Sequence, residues 1–82
     1  MNNKAYIPSE RTMEKIDTFF QTRSYVHVGT LAVEIGYSLL KTEMIIEHLI
    51  EIEKIRYATI SEKRMLGLND DHVVVKKLTA SL

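Results

Sequence analysis

Histidines, carboxylates, basic side chains and tyrosines carry the chemistry available to this 82-residue chain, and their spacing limits what they can do. His27, His48 and His72 stand 21 and 24 residues apart, so no two share a helical turn. Zinc needs three or four converging ligands, and the chain has no cysteine, so a metal site, a disulfide and thiolate catalysis are not expected. No serine sits in a nucleophile-elbow setting, and no glycine-rich loop is present to cradle a phosphate. The closest carboxylates are Glu43, Glu47 and Glu51, at a spacing that places them one turn apart on a single helix face. Like charges so placed repel slightly, which suits a solvated face or a face that docks a protein. Leu40 and Met44 flank this row and, if exposed, would give it an apolar edge. These features predict a protein that is not an enzyme and carries no cofactor.

The basic side chains lie elsewhere. Eleven Lys and Arg balance eleven Asp and Glu, which excludes a basic field over the whole molecule. The balance is uneven along the chain: residues 1–27 sum to +1, 28–53 to −4 and 54–82 to +3. The positive stretch holds Lys54, Arg56, Lys63, Arg64, Lys76 and Lys77. Such residues either solubilise exposed strand edges or touch phosphates. Tyr37 and Tyr57 are read as core-covering residues first and as platforms for a base second.

The elements that must position these groups follow from the punctuation. Residues 1–8 read as an N-terminal arm and 79–82 as a C-terminal tail, with one domain over 9–78. Ser9 is a candidate N-cap, and Met13, Ile16 and Phe20 mark one stripe of a helix ending near Arg23. Tyr25–Val28 reads as a brief strand broken by Gly29, and Thr30–Ile35 as a short helix stopped by Gly36. Tyr37–Leu40 is expected as a turn, with Ser38 or Thr42 capping a third helix whose stripe is Ile45, Leu49 and Ile52. Ile55–Ile60 alternates as a strand, Ser61–Asp71 reads as a polar loop and His72–Leu78 as the return strand. The predicted core is Met13, Ile16, Phe20, Val26, Val28, Leu31, Ile35, Ile45, Leu49, Ile52, Ile55, Tyr57, Val73 and Val75. The longest run without a charged residue is ten residues, Ser24–Val33, about half of what a membrane span needs, and the first eight residues lack an apolar signal-peptide core. A soluble, cytoplasmic protein is expected.

Leu31-Ala32 followed by Ile35-Gly36 and Ser38, the isoleucine stripe and then Ile55 to Ile60 make a segment that resembles the winged helix-turn-helix family. With the flanking helix and hairpin the resemblance covers about nine tenths of the chain. It implies an α+β fold, mainly α with a small antiparallel β-hairpin: three helices and a wing. Two features depart from the family pattern. Ile45 stands seven positions after Ser38, which predicts a longer turn, and no glycine lies between the third helix and the wing.

The resemblance implies DNA binding through the start of the third helix (Tyr37, Ser38, Lys41 and Thr42) and through basic residues of the wing and its strands (Arg56, Lys63, Arg64 and Lys76). The ligand would be double-stranded or single-stranded DNA, the role a regulator, and a homodimer would suit a two-fold site. The alternative is a protein-interaction module, an accessory subunit of a replication or transcription complex. It would use Glu43, Met44, Glu47 and Glu51, because a row of glutamates is a poor neighbour for phosphates.

Overall fold

Ser9 opens the first helix as the sequence predicts: in the computed structural model, which describes residues 7–78, its hydroxyl accepts the Thr12 amide at 3.2 Å. Helix α1 (Glu10–Gln21) turns Thr12, Ile16, Phe19 and Phe20 inward, the i, i+4, i+7, i+8 face of a helix. Most of the expected arm and all of the expected tail lie outside the described residues. Within the arm, Ile7 is exposed and Pro8 is buried.

Strand β1 (Tyr25–His27) is shorter than expected because its last residue changes role. The His27 ring Nδ1 accepts the Gly29 amide at 3.0 Å and so caps helix α2 (Val28–Ile35). Val28 is therefore the first residue of a helix, and Gly29 lies within that helix and does not break the chain. A β-carbon at Gly29 would stand 3.3 Å from His27 Nδ1, so the missing side chain lets the imidazole close over the helix end. Gly36 ends α2 in the left-handed conformation (φ 77°), and the Tyr37 amide turns back to the Ala32 carbonyl at 3.1 Å.

The expected long turn is absent. Ser38 accepts the Lys41 amide at 3.1 Å and caps helix α3 (Leu39–Glu51), so only Gly36, Tyr37 and Ser38 separate the two helices. Of the two caps considered, Ser38 is the one used; Thr42 lies inside the helix with Ile45, Ile46 and Leu49 on its buried face. The helix stops at Glu51, which leaves Ile52 outside the stripe and 46% exposed. Glu53 then takes φ 63°, the conformation a glycine would adopt most easily, and turns the chain into β2 (Ile55–Tyr57).

The larger revision comes next. The strand expected over Ile55–Ile60 ends at Tyr57, because Thr59 and Glu62 form a capping box. The Thr59 hydroxyl accepts the Glu62 amide at 3.1 Å and the Glu62 carboxylate accepts the Thr59 amide at 2.8 Å. They start helix α4 (Ile60–Met65) where a polar loop was expected. The chain returns in β3 (Val74–Lys77), which lies between the other two strands and runs antiparallel to both. The described residues form a small α+β fold of four helices and a three-stranded antiparallel sheet in the order β1-β3-β2.

Register divides the sheet's faces. Tyr25, Lys76 and Arg56 stand side by side on one face, and Val26, Val75 and Tyr57 on the other. Val26, Val75 and Ile55 join Ile16, Phe19, Phe20, Leu31, Ile35, Ile45, Ile46 and Leu49 in the core. Ten of the fourteen predicted core residues are buried; Met13 packs half-buried against them, and Ile52, Tyr57 and Val73 are exposed. Phe19, Ala32, Ile46 and Val74 are buried beyond the prediction. Val74 lies on the Tyr25 face of the sheet, the face that Glu62 of α4 reaches over, so β3 is buried on both of its sides.

Candidate interaction surface

Two polar constellations flank the sheet, one on the face under α4 and one in the crease between α3 and the α4-proximal end of the strands. On the α4 face, Glu62 is the hub. Arg56 grips its carboxylate with two nitrogens, at 2.8 and 2.7 Å, and the Tyr25 hydroxyl donates to it at 3.0 Å. The Arg56 bonds, followed by the Thr59 amide, hold the Glu62 carboxyl far below its ordinary range. The bond to Glu62, with some burial, pushes the Tyr25 hydroxyl up. Lys76 places its ammonium 5.3 Å from the centre of the Tyr25 ring.

The remaining basic residues of this half tie down the loop after α4. Lys63 Nζ donates to the carbonyls of Asp70 at 2.6 Å and His72 at 2.9 Å, and Arg64 meets the Asp70 carboxylate at 3.2 Å. All four wing-side candidates, Arg56, Lys63, Arg64 and Lys76, thus have partners within the fold. The Arg64–Asp70 pair is well exposed on both sides and therefore weak.

The start of α3 is also internally engaged. The Tyr37 hydroxyl is 3.0 Å from Thr12 Oγ1, which fastens the turn to α1, and Lys41 Nζ lies 5.0 Å from the Tyr37 ring centre. Ser38 is occupied as the cap. Thr42, expected to meet DNA, is 0% exposed and offers no surface, because the α3 stripe rotates it into the core.

Glu43, Glu47 and Glu51 are exposed along α3, and Met44 is half-buried. Tyr57 comes over from β2 and donates its hydroxyl to Glu47 at 3.4 Å. Burial first, then the Glu47 and Glu43 carboxylates, push that hydroxyl up. Leu39 and Leu40, in the first turn of α3, are 53% and 70% exposed, so the apolar edge beside the glutamates is present.

The histidines hold the main surprise. His27 and His72 meet edge to face, ring centres 5.3 Å apart at 74°. His72 Nδ1 accepts the Asn69 amide at 2.9 Å, as His27 Nδ1 accepts that of Gly29. Both rings serve as backbone acceptors through Nδ1. Among the described residues no group of three or more His, Asp and Glu converges as metal ligands, and no helix is long and apolar enough to cross a membrane. Sequence spacing conceals the histidine pair because its two members meet only when β3 enters beside β1. No family model, no curated protein and no solved structure matches the chain.

Proposed function

We propose that this chain is a winged-helix-type binding module that docks a protein and performs no catalysis, acting as a cytoplasmic accessory subunit in a replication or transcription assembly. The order of elements, with α2, a three-residue turn, α3 and a sheet closed by the last strand, supports the winged-helix reading; α4 takes the place of an open wing. The observation that carries the choice of partner is the exposed face of α3. In DNA-binding members of such folds this helix enters the major groove between two rows of phosphates. Here it presents Glu43, Glu47 and Glu51, and Tyr57 is bonded to the middle one. A carboxylate can accept from cytosine, but three in a row beside phosphates are repulsive.

A second reading, direct DNA contact and a regulatory role, rests on one specific feature. Lys77 stands opposite Ile55 in the β2–β3 ladder, next to Lys54, and both lysines are exposed at this end of the sheet. Fluorescence anisotropy of mixed-sequence duplex and single-stranded DNA at about 50 and 200 mM salt separates the two readings. Docking of a protein predicts no saturable binding at either salt. Binding that weakens steeply with salt, and that becomes both weaker and less salt-dependent in a Lys54→Ala, Lys77→Ala double variant, would replace it with the DNA reading.

A further inference from the structure

Next to the α3 glutamates the fold leaves a concavity of about 270 Å³ between the first turn of α3, the β1–α2 junction and the segment leading into β3. Leu39 and Val73 supply its apolar surface, Glu43 and Asp71 supply negative charge, and the His27–His72 pair closes its remaining side. Leu39 is 53% exposed and Val73 43%, although both are aliphatic and sit beside a well-filled core. Among the described residues no Lys or Arg lines the concavity. Lys63, which reaches this loop from α4, spends its ammonium on the Asp70 and His72 carbonyls.

We propose that this crease holds a basic segment of the partner protein, which inserts one aliphatic side chain between Leu39 and Val73. The proposal rests on the protein-docking reading above and specifies its ligand. Three features fix the chemistry. The volume falls below the roughly 300–1,000 Å³ of small-molecule sites but suits one or two side chains. Two exposed aliphatic walls gain from burial against an apolar anchor. Carboxylates on both walls, continued by Glu47 one helical turn further along α3, select Lys or Arg on either side of that anchor and reject an acidic segment or a phosphate backbone. The walls are also pre-formed, since the histidine caps at Gly29 and Asn69 hold the β1–α2 junction and the loop before β3 in place.

Selection from a displayed library of random twelve-residue peptides on the folded full chain tests this directly. The enriched sequences are expected to carry Lys or Arg flanking one Leu, Ile, Val or Met. A synthetic peptide of the leading sequence is expected to shift the amide resonances of Leu39, Glu43, Asp71 and Val73. Replacing its anchor by Ser should weaken binding at least about fivefold, as expected for one buried aliphatic group. Glu43→Gln and Leu39→Ser should each weaken it while leaving the melting temperature nearly unchanged, because both side chains are exposed. Enrichment without basic bias, indifference to the anchor, or resonance shifts confined to other surfaces would overturn the proposal. So would a concentration-dependent dimer whose contact maps to Leu39 and Val73. A peptide that binds only the outer glutamate row, whatever its anchor, would remove the crease and leave the protein-docking reading intact; salt-dependent DNA binding would remove both.

Discussion

Glu53 and Thr42 are two single residues at odds with their surroundings, and each gives a sharp expectation. Glu53 occupies φ 63° at the exit of α3, where a side chain crowds the backbone. Glu53→Gly should raise stability by about 0.5–1 kcal/mol, the relief of left-handed strain less the entropy of the added glycine, read as a higher urea midpoint. Thr42 buries a hydroxyl that has no partner among the described residues. Thr42→Val keeps the shape and removes the unpaired group, so it should be neutral or stabilising by up to about 1–2 kcal/mol in thermal melts. Both residues also show how far single positions could be read from sequence. Ser9, Gly36 and Ser38 declare themselves, because an N-cap hydroxyl or a left-handed glycine acts on neighbours two or three residues away. Thr42 does not: the same residue type that caps a helix also fits inside one, and only the α3 register separates the two uses. His27 and His72 were unreadable as a pair for a similar reason, since their meeting requires strands that are distant in sequence.

Helix α4 is the element that local pattern hid. Ile55 to Ile60 alternates well enough to pass for a strand, yet Thr59 and Glu62 stand at capping-box spacing, and the box prevails once the Glu62 carboxylate also finds Arg56 and Tyr25. The helix has no buried residue of its own, so its hold on the sheet depends on that polar hub and on Lys63. Glu62→Gln should therefore lower the melting temperature at neutral pH. The pH dependence follows from the direction of the shift. A carboxyl held below its ordinary value stabilises the fold above the unfolded-state pKa and loses that contribution as pH falls. The gap between wild type and Glu62→Gln should be full at pH 7 and should narrow steadily below about pH 4.5. A gap that stayed constant down to pH 3 would show that the carboxylate charge is not what holds α4.

The whole molecule is small enough that single core residues matter to all of it. Its 82 residues correspond to a net stability of about 4–12 kcal/mol. Ile46 is 0% exposed between α3 and the rest of the core, and truncation to alanine should cost about 2–5 kcal/mol. A substantial unfolded fraction at 37 °C, seen by circular dichroism, is the expected outcome of Ile46→Ala. At this scale the sequence was most informative: three of the four helices, the three strands and ten core positions follow from apolar spacing, caps and glycines. What escaped it was the outer side of the sheet. Val74 is buried on that side, and the polar hub that fastens α4 to the same face joins residues 25, 56 and 62, which local pattern does not link.

The order β1-β3-β2 gives the chain a particular schedule of synthesis. The central strand is the last to be made, so β1 and β2 have no partner until residues 74–77 emerge. Lys77 comes twenty residues after Tyr57, which at about 5–20 residues per second is roughly 1–4 s of translation with two bare strands. Both strands are only three residues long, a poor template for a stray neighbour. A ribosome that stalled anywhere before Val74 would therefore release helices with no sheet to organise them, a product for proteolysis and not a partly working module.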